Sequence, residues 1–554
     1  MRALLSNRVM ALVALVAVLG ASVAEARTAP NRPRRPRATN LFAGANLLFG
    51  VNKVLCNLTS TGEVCSAGSS PVGGGGFWPN GTPDQYIFNS GLQLGGLVDP
   101  AAGFAWAGDT VGSYFFDASG GQEAGEAIFG VYSSIDPADQ AAWPNGAVAR
   151  DPDIYAPGLL GLNQVSQGDG WTRYWEGNPD RGTGRPHPLG IVVDQRVMAY
   201  GFPAGNEDIL YIVFTFYNVS AKASSGVYNN PTIPAEIQAE IGALGDRFQA
   251  VNEAKFGAGL IPDGGYTITD GYVAFGMDAD VAVFSHNYAT AILPFNLGIT
   301  YTGDWLPEVG WQFPADVFGA PFFAAPGFVG VKFLKSPKDG SGNEVGLTMF
   351  SQHFNPNQGS GLLDPEGGNQ LYRYISGHFG ITDAACSPFT DRAVALARRL
   401  CYLGQTQGDT RFYEASGPFT LEPGHAQTIV VAYLHAAPLG IVQPYVGGDL
   451  TLPGIPFTGD SIFRDTTKIR LIDRIAGWVT QSDNDGNQVI TQDEVVSVPR
   501  SLLDKSIVAQ NIFDVGFVGP FAPEAPQFFL VPGNNSVTIV WQPSRTETPA
   551  GGDP

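Results

Sequence analysis

A chain of 554 residues has room for several domains, and a hydrophobic content of 44% is enough for a sizeable core. Acidic residues outnumber basic ones by 51 to 31, giving a net charge of −20, which argues against nucleic acid and anionic membrane surfaces as partners. Gly (71) and Pro (41) are abundant while charged residues make up only 15%, a balance that favours many short strands joined by turns over helical bundles.

Residues 1–26 read as a secretory signal. Arg2 and Arg8 form the basic end, Met10 to Gly20 the apolar run, and Ala24-Glu25-Ala26 the cleavage site. The run is too short to span a bilayer comfortably, so no membrane span is expected after cleavage. Residues 27–41 form a Pro/Arg-rich leader expected to be disordered. A β-rich body follows over 42–465. Its predicted strands are Val51–Leu58, Glu63–Ser66, Gln85–Asn89, Gly91–Val98, Gly190–Tyr200, Ile209–Val219, Tyr272–Phe284, Phe328–Leu334 and Gln427–Leu434. Helical spacing of apolar residues predicts helices over Pro234–Phe256 and Thr390–Tyr402. The four cysteines fall as two local pairs. Export oxidises thiols, so Cys56–Cys65 and Cys386–Cys401 are the disulfides expected among the three possible pairings.

Two candidate sites lie within the body. Asp270, Asp278 and Asp280 form an acidic cluster at a strand end that could hold a cation, or could be exposed turn carboxylates. Trp171, Tyr174 and Trp175, with Asp169, Arg173 and Glu176, lie in a Gly/Pro-rich stretch read as a loop. Aromatic rings beside polar groups suit a glycan platform; the alternative is a loop anchored by its own aromatics. HExxH and GxSxG patterns are both absent.

Residues 466–520 read as a small helical module around an acidic loop. A helix is predicted over Thr467–Thr480 and another over Ser501–Phe513. Between them Asp483, Asp485 and Asn487 alternate, Val489 offers a carbonyl, Thr491 a hydroxyl and Glu494 a bidentate carboxylate. This is the spacing of oxygens around calcium, and it resembles the loops of EF-hands and dockerins. Gln488 stands where such loops carry Gly, which predicts weakened affinity for one structural calcium ion.

Further segments resemble large secreted β-rich proteins of environmental bacteria that carry C-terminal fibronectin-like and cell-surface sorting modules. They are Trp78 to Phe88 with Gly91 to Gly96, Pro188 to Ile191, Asp208 to Asn218, Gly327 to Val331, Tyr372 to Gly377, and Ser416 to Phe419. Over 521–554, Phe528 to Pro532, the Gly533-Asn534-Asn535 turn and Ser536 to Trp541 resemble the opening strands of a fibronectin type III domain. Such a domain needs about 90–100 residues, so the segment reads as incomplete. As the start of a larger module it is expected to be poorly ordered or docked on the body. The fold expected is therefore mainly β: a β-sandwich-type body with inserted helices, the calcium-loop module and the fibronectin-like start. The resemblance implies export, to the medium or the cell surface, and a β-rich body; the function expected is a non-enzymatic structural or adhesive one at the cell surface, stiffened by its calcium site. The chain's partners would be extracellular proteins or glycans, or further copies of itself. The alternative is a secreted carbohydrate-binding protein or glycoside hydrolase using the Trp171 to Glu176 stretch.

Overall fold

In the computed structural model the residues described are 45–67, 75–81, 84–104, 106–114, 126–143, 153–155, 159, 164–180, 187–203, 205–281, 284–292, 295–302, 328–355, 362–365, 367–377, 408–436, 502–518 and 528–541. The expected signal and leader, the calcium loop with its entering helix, the helix over 390–402 and the pair Cys386 and Cys401 lie outside these residues.

Long runs of Val, Ile, Phe and Tyr build two large antiparallel sheets, as expected of a mainly β protein. One runs in the order Met349–Phe354, Thr410–Leu421, Ile268–Asp278, Asn89–Val98, Glu63–Val64, Leu55–Thr59, Gly76–Phe77, Gln85–Ile87. The other runs Asn287–Ile292, Leu297–Thr302, Phe328–Lys335, Ala426–Ala436, Ile209–Asn218, Ile191–Ala199, Gly168–Glu176, Glu126–Ala127. Side chains from both sheets meet in one core. Phe275 of the first lies 5.9 Å from Phe214 and 5.2 Å from Tyr433 of the second, and Phe419 lies 5.7 Å from Phe216. Fully burying such a side chain contributes about 1.5–3 kcal/mol.

Both sheets are covered on their outer faces too, which explains why their strands alternate so poorly. On Ile268–Asp278, Val273, Phe275 and Met277 face the sandwich core. Tyr272 and Ala274 join a second cluster with Leu371, Tyr372, Tyr374 and Ile375 of the helix Gly368–Ser376. The helix Gln238–Phe256 buries Ile241, Leu244 and Phe248, and it ends at Gly257, whose φ of 133° suits only glycine. Cys56 and Cys65 form the expected disulfide, stapling the hairpin of Leu55–Thr59 and Glu63–Val64.

The expected second helix of the calcium module is found as Leu502–Asp514, but it is packed into the body rather than standing apart. Leu502, Leu503 and Ala509 enter the main core. Lys505 Nζ donates to Asp208 Oδ2 at 2.8 Å and to the His435 carbonyl at 2.7 Å, and sits 5.4 Å over the Trp78 ring. Trp78 Nε1 donates to the other Asp208 oxygen at 2.7 Å, and Tyr200 Oη donates to the Phe517 carbonyl at 3.0 Å. The strands expected at the fibronectin-like start are present as the hairpin Phe528–Gly533 with Ser536–Trp541. Neither of its faces is buried against the body: Phe528 is 62% exposed and Trp541 64%. No helix among the described residues is long and apolar enough to cross a membrane.

Candidate metal centre

The acidic cluster is built by strand register. Across the first sheet Asn89 pairs with Asp278, Asp278 with Arg411, and Arg411 with His353. Directly opposed residues project to the same face of an antiparallel sheet, so four adjacent strands present one polar row. Segments at the strand ends complete it. Asp280 lies in the turn after Ile268–Asp278, with its N–H donating to the Tyr86 carbonyl at 3.1 Å. Asp409 sits just before Thr410–Leu421. Asn287 ties these two segments together: its Oδ1 accepts from Val281 N at 3.0 Å, and its carbonyl accepts from Gly408 N at 3.1 Å.

Arg411 occupies the middle. Its Nη2 lies 3.0 Å from Asp278 Oδ2 and its Nη1 3.0 Å from Asp409 Oδ1, while Nε is 3.5 Å from Asp364 Oδ2. Asp364 Oδ1 in turn meets His353 Nδ1 at 2.6 Å. The His353 ring is closed in by Tyr413 at 4.3 Å and Tyr374 at 6.2 Å. One oxygen from each of Asp278, Asp280 and Asp409 lies within 4.8 Å of the others.

The electrostatics follow from burial and charge crowding. Burial raises the Asp278 carboxyl well above the usual carboxylate range; Arg411 opposes this, and Asp280, Asp409 and Asp364 reinforce it. Burial, then the Asp409 charge, pushes Asp280 up to about 7. Asp409 is raised as well, again mainly by burial. Burial works against the Arg411 charge, but Asp278, Asp364 and Asp409 outweigh it and hold the guanidinium above its ordinary value. Burial lowers His353, with Asp364 pulling the other way. The chemistry open to this arrangement is bracing of strand ends and charge-dense ligation of a cation.

The cluster differs from the expected one in a single member. Asp278 and Asp280 belong to it, but Asp270 is exposed at a bulge near the opposite end of the same strand, with a φ of 45°. At about 3.3 Å per residue, eight residues of strand carry it out of reach of Asp278. Asp409 takes its place, brought in by antiparallel pairing of Ile268–Asp278 with Thr410–Leu421. Neither Asp409 nor Arg411 carried a local sequence signal.

The glycan platform is corrected. Gly168–Glu176 is a strand, not a loop, and Trp171, Tyr174 and Trp175 are 1%, 0% and 0% exposed. Their polar groups are used internally: Tyr174 Oη donates to Gln195 Oε1 at 2.9 Å and Trp175 Nε1 to Glu126 Oε2 at 3.0 Å. Arg173, between the tryptophans, is fully buried and pairs with Asp194 and with Glu240 of the covering helix. A buried guanidinium is tolerable only with such partners, because leaving it unpaired costs about 3–5 kcal/mol. No ring face is left for a sugar. Asp483, Asp485, Asn487, Val489, Thr491 and Glu494 of the calcium loop are outside the described residues. Compared with models of known protein families and with curated proteins, the chain matches none.

Proposed function

We propose that this chain is an exported structural or adhesive protein of the cell surface, a β-sandwich body bearing modules that associate with other extracellular β-structure. The observation that carries this reading is the hairpin of Phe528–Gly533 and Ser536–Trp541. It exposes Phe528, Phe529, Leu530, Val531, Val537, Ile539 and Trp541 together and contains no charged residue, although the chain as a whole is strongly acidic. A two-stranded hairpin is marginal on its own, and a contiguous apolar patch of this kind marks an interaction surface. Its lack of charge fits an apolar β-surface better than a basic partner. Further strands of a fibronectin-like module are the occupant that best suits it. In the same reading the loop from Asp483 to Glu494 takes one structural calcium ion and stiffens the approach to the helix Leu502–Asp514.

The test is protease shaving of intact producing cells, followed by mass spectrometry, alongside attachment of a strain lacking the chain. Peptides from the hairpin are expected in the shaved fraction, with reduced attachment of the deletion strain. A chain protected inside intact cells, or unaltered attachment, would refute the surface role.

A further inference from the structure

We propose that Asp278, Asp280 and Asp409 bind one hard divalent cation of calcium's kind, at a site separate from the Asp483 to Glu494 loop. Three observations meet here. The first is reach: the carboxylate oxygens lie within 4.8 Å of one another, and oxygens on opposite sides of a calcium ion stand about 4.6–5.2 Å apart. The second is an unused ligand. Arg411 and Asp278 pair through Asp278 Oδ2, whereas Asp278 Oδ1 is buried with no hydrogen-bond partner. A buried carboxylate oxygen left unpaired costs more than a neutral orphan, so an oxygen-seeking cation is the natural occupant. The third is charge: Asp278, Asp280, Asp364 and Asp409 face the single guanidinium of Arg411. Asp364 is engaged by His353, Arg411 takes one oxygen each from Asp278 and Asp409, and Asn355 Nδ2 donates to the second Asp409 oxygen at 3.4 Å. Negative charge is left over on the side where Asp280 stands, and no hydrogen bond reaches the Asp280 carboxylate among the described residues.

The site is also held in shape before any ion arrives. Asp278 is fixed by ladder register, and Asn287 joins the segments carrying Asp280 and Asp409 through hydrogen bonds of 3.0 and 3.1 Å. A bound ion would tie the strand ends of Ile268–Asp278 and Thr410–Leu421 to the turn that leads into Asn287–Ile292 of the opposite sheet. It would thus act as a clasp between the two sheets.

The full chain is tested with Glu494→Gln in place, which silences the other calcium loop. Calcium and magnesium are added separately, with titration calorimetry and thermal unfolding as readouts. The expected result is one equivalent of calcium bound at millimolar concentration or below, and a rise of about 2–4 °C in the unfolding midpoint over chelator. Adding Asp280→Asn should abolish both effects. In chelator the Asp280→Asn chain should be at least as stable as its parent, because one crowded charge is gone. If Glu494→Gln prevents folding, the same comparison is made on the wild type, where Asp280→Asn should remove one equivalent. Absence of binding by either ion, binding that survives Asp280→Asn, or a variant unstable even in chelator would overturn the proposal. The last outcome would mean that Asp280 serves the fold and not an ion.

Discussion

His435 lies between Trp78 at 6.0 Å and Tyr86 at 5.9 Å, with no exposed surface. Burial pushes its pKa down to about 4, against a smaller opposing pull from Asp208. A histidine in the unfolded chain titrates near 6.5. Between these values the unfolded chain holds a proton that the folded one does not. Stability therefore rises with pH through that window and is lost as pH falls from about 6.5 towards 4, by about 3 kcal/mol for this one ring. His435→Gln is expected to flatten the stability profile by that amount, read as urea midpoints at pH 6.5 and 4. An unchanged difference between the two pH values would show that His435 takes no part. The flattening will be partial, because His187, stacked on Trp106 at 4.1 Å, is also pushed down to about 4 by burial. At this scale the sequence was informative about residue type but not about environment. Trp171 and Arg173 look like surface chemistry until Asp194 and Glu240, distant in sequence, are seen to close over them.

Whole elements were legible where composition was one-sided. Ile191–Ala199, Ile209–Asn218 and Ala426–Ala436 are runs of β-branched and aromatic residues, and they were found almost to the residue. The helix Gln238–Phe256 was found from its apolar stripe, although it starts after Pro234 and not at it. Thr410–Leu421 escaped notice because Arg411, Glu414 and a Gly417–Pro418 pair interrupt it, even though it is the strand that brings Asp409 to Asp278. The helix Gly368–Ser376 escaped because it is short and glycine-bounded; what holds it is a close approach that no local pattern reveals. A Cβ on Gly112 would lie 2.6 Å from the Gly368 carbonyl oxygen and 3.0 Å from Leu371 Cδ2. Neither backbone can give way without moving the helix off the sheet. Gly112→Ala should therefore cost about 1–3 kcal/mol, the usual range for overpacking, measured by urea unfolding. A midpoint equal to wild type would mean that the helix is free to shift and does not hold the outer face of the sheet.

For the molecule as a whole, the helix Leu502–Asp514 matters out of proportion to its length. It covers Asp208 and Trp78 and supplies the cation that their buried carboxylate needs. A chain ending after Arg500 should be cut by trypsin much faster than one ending after Pro520, since Asp208 would lose its cationic partner and the core under Leu502, Leu503 and Ala509 would open to water. Equal half-lives would show that the helix is an accessory to a body already closed. The Tyr200–Phe517 hydrogen bond spans 317 positions, so the end of the strand Ile191–Ala199 waits for a segment made much later. Loop closure over such a distance adds only about 0.6 kcal/mol per doubling of length, so the arrangement costs little stability, but it delays folding. Until residue 517 has been made, Asp208 lacks its cation and Tyr200 its carbonyl acceptor, so this side of the body stays open longest during synthesis.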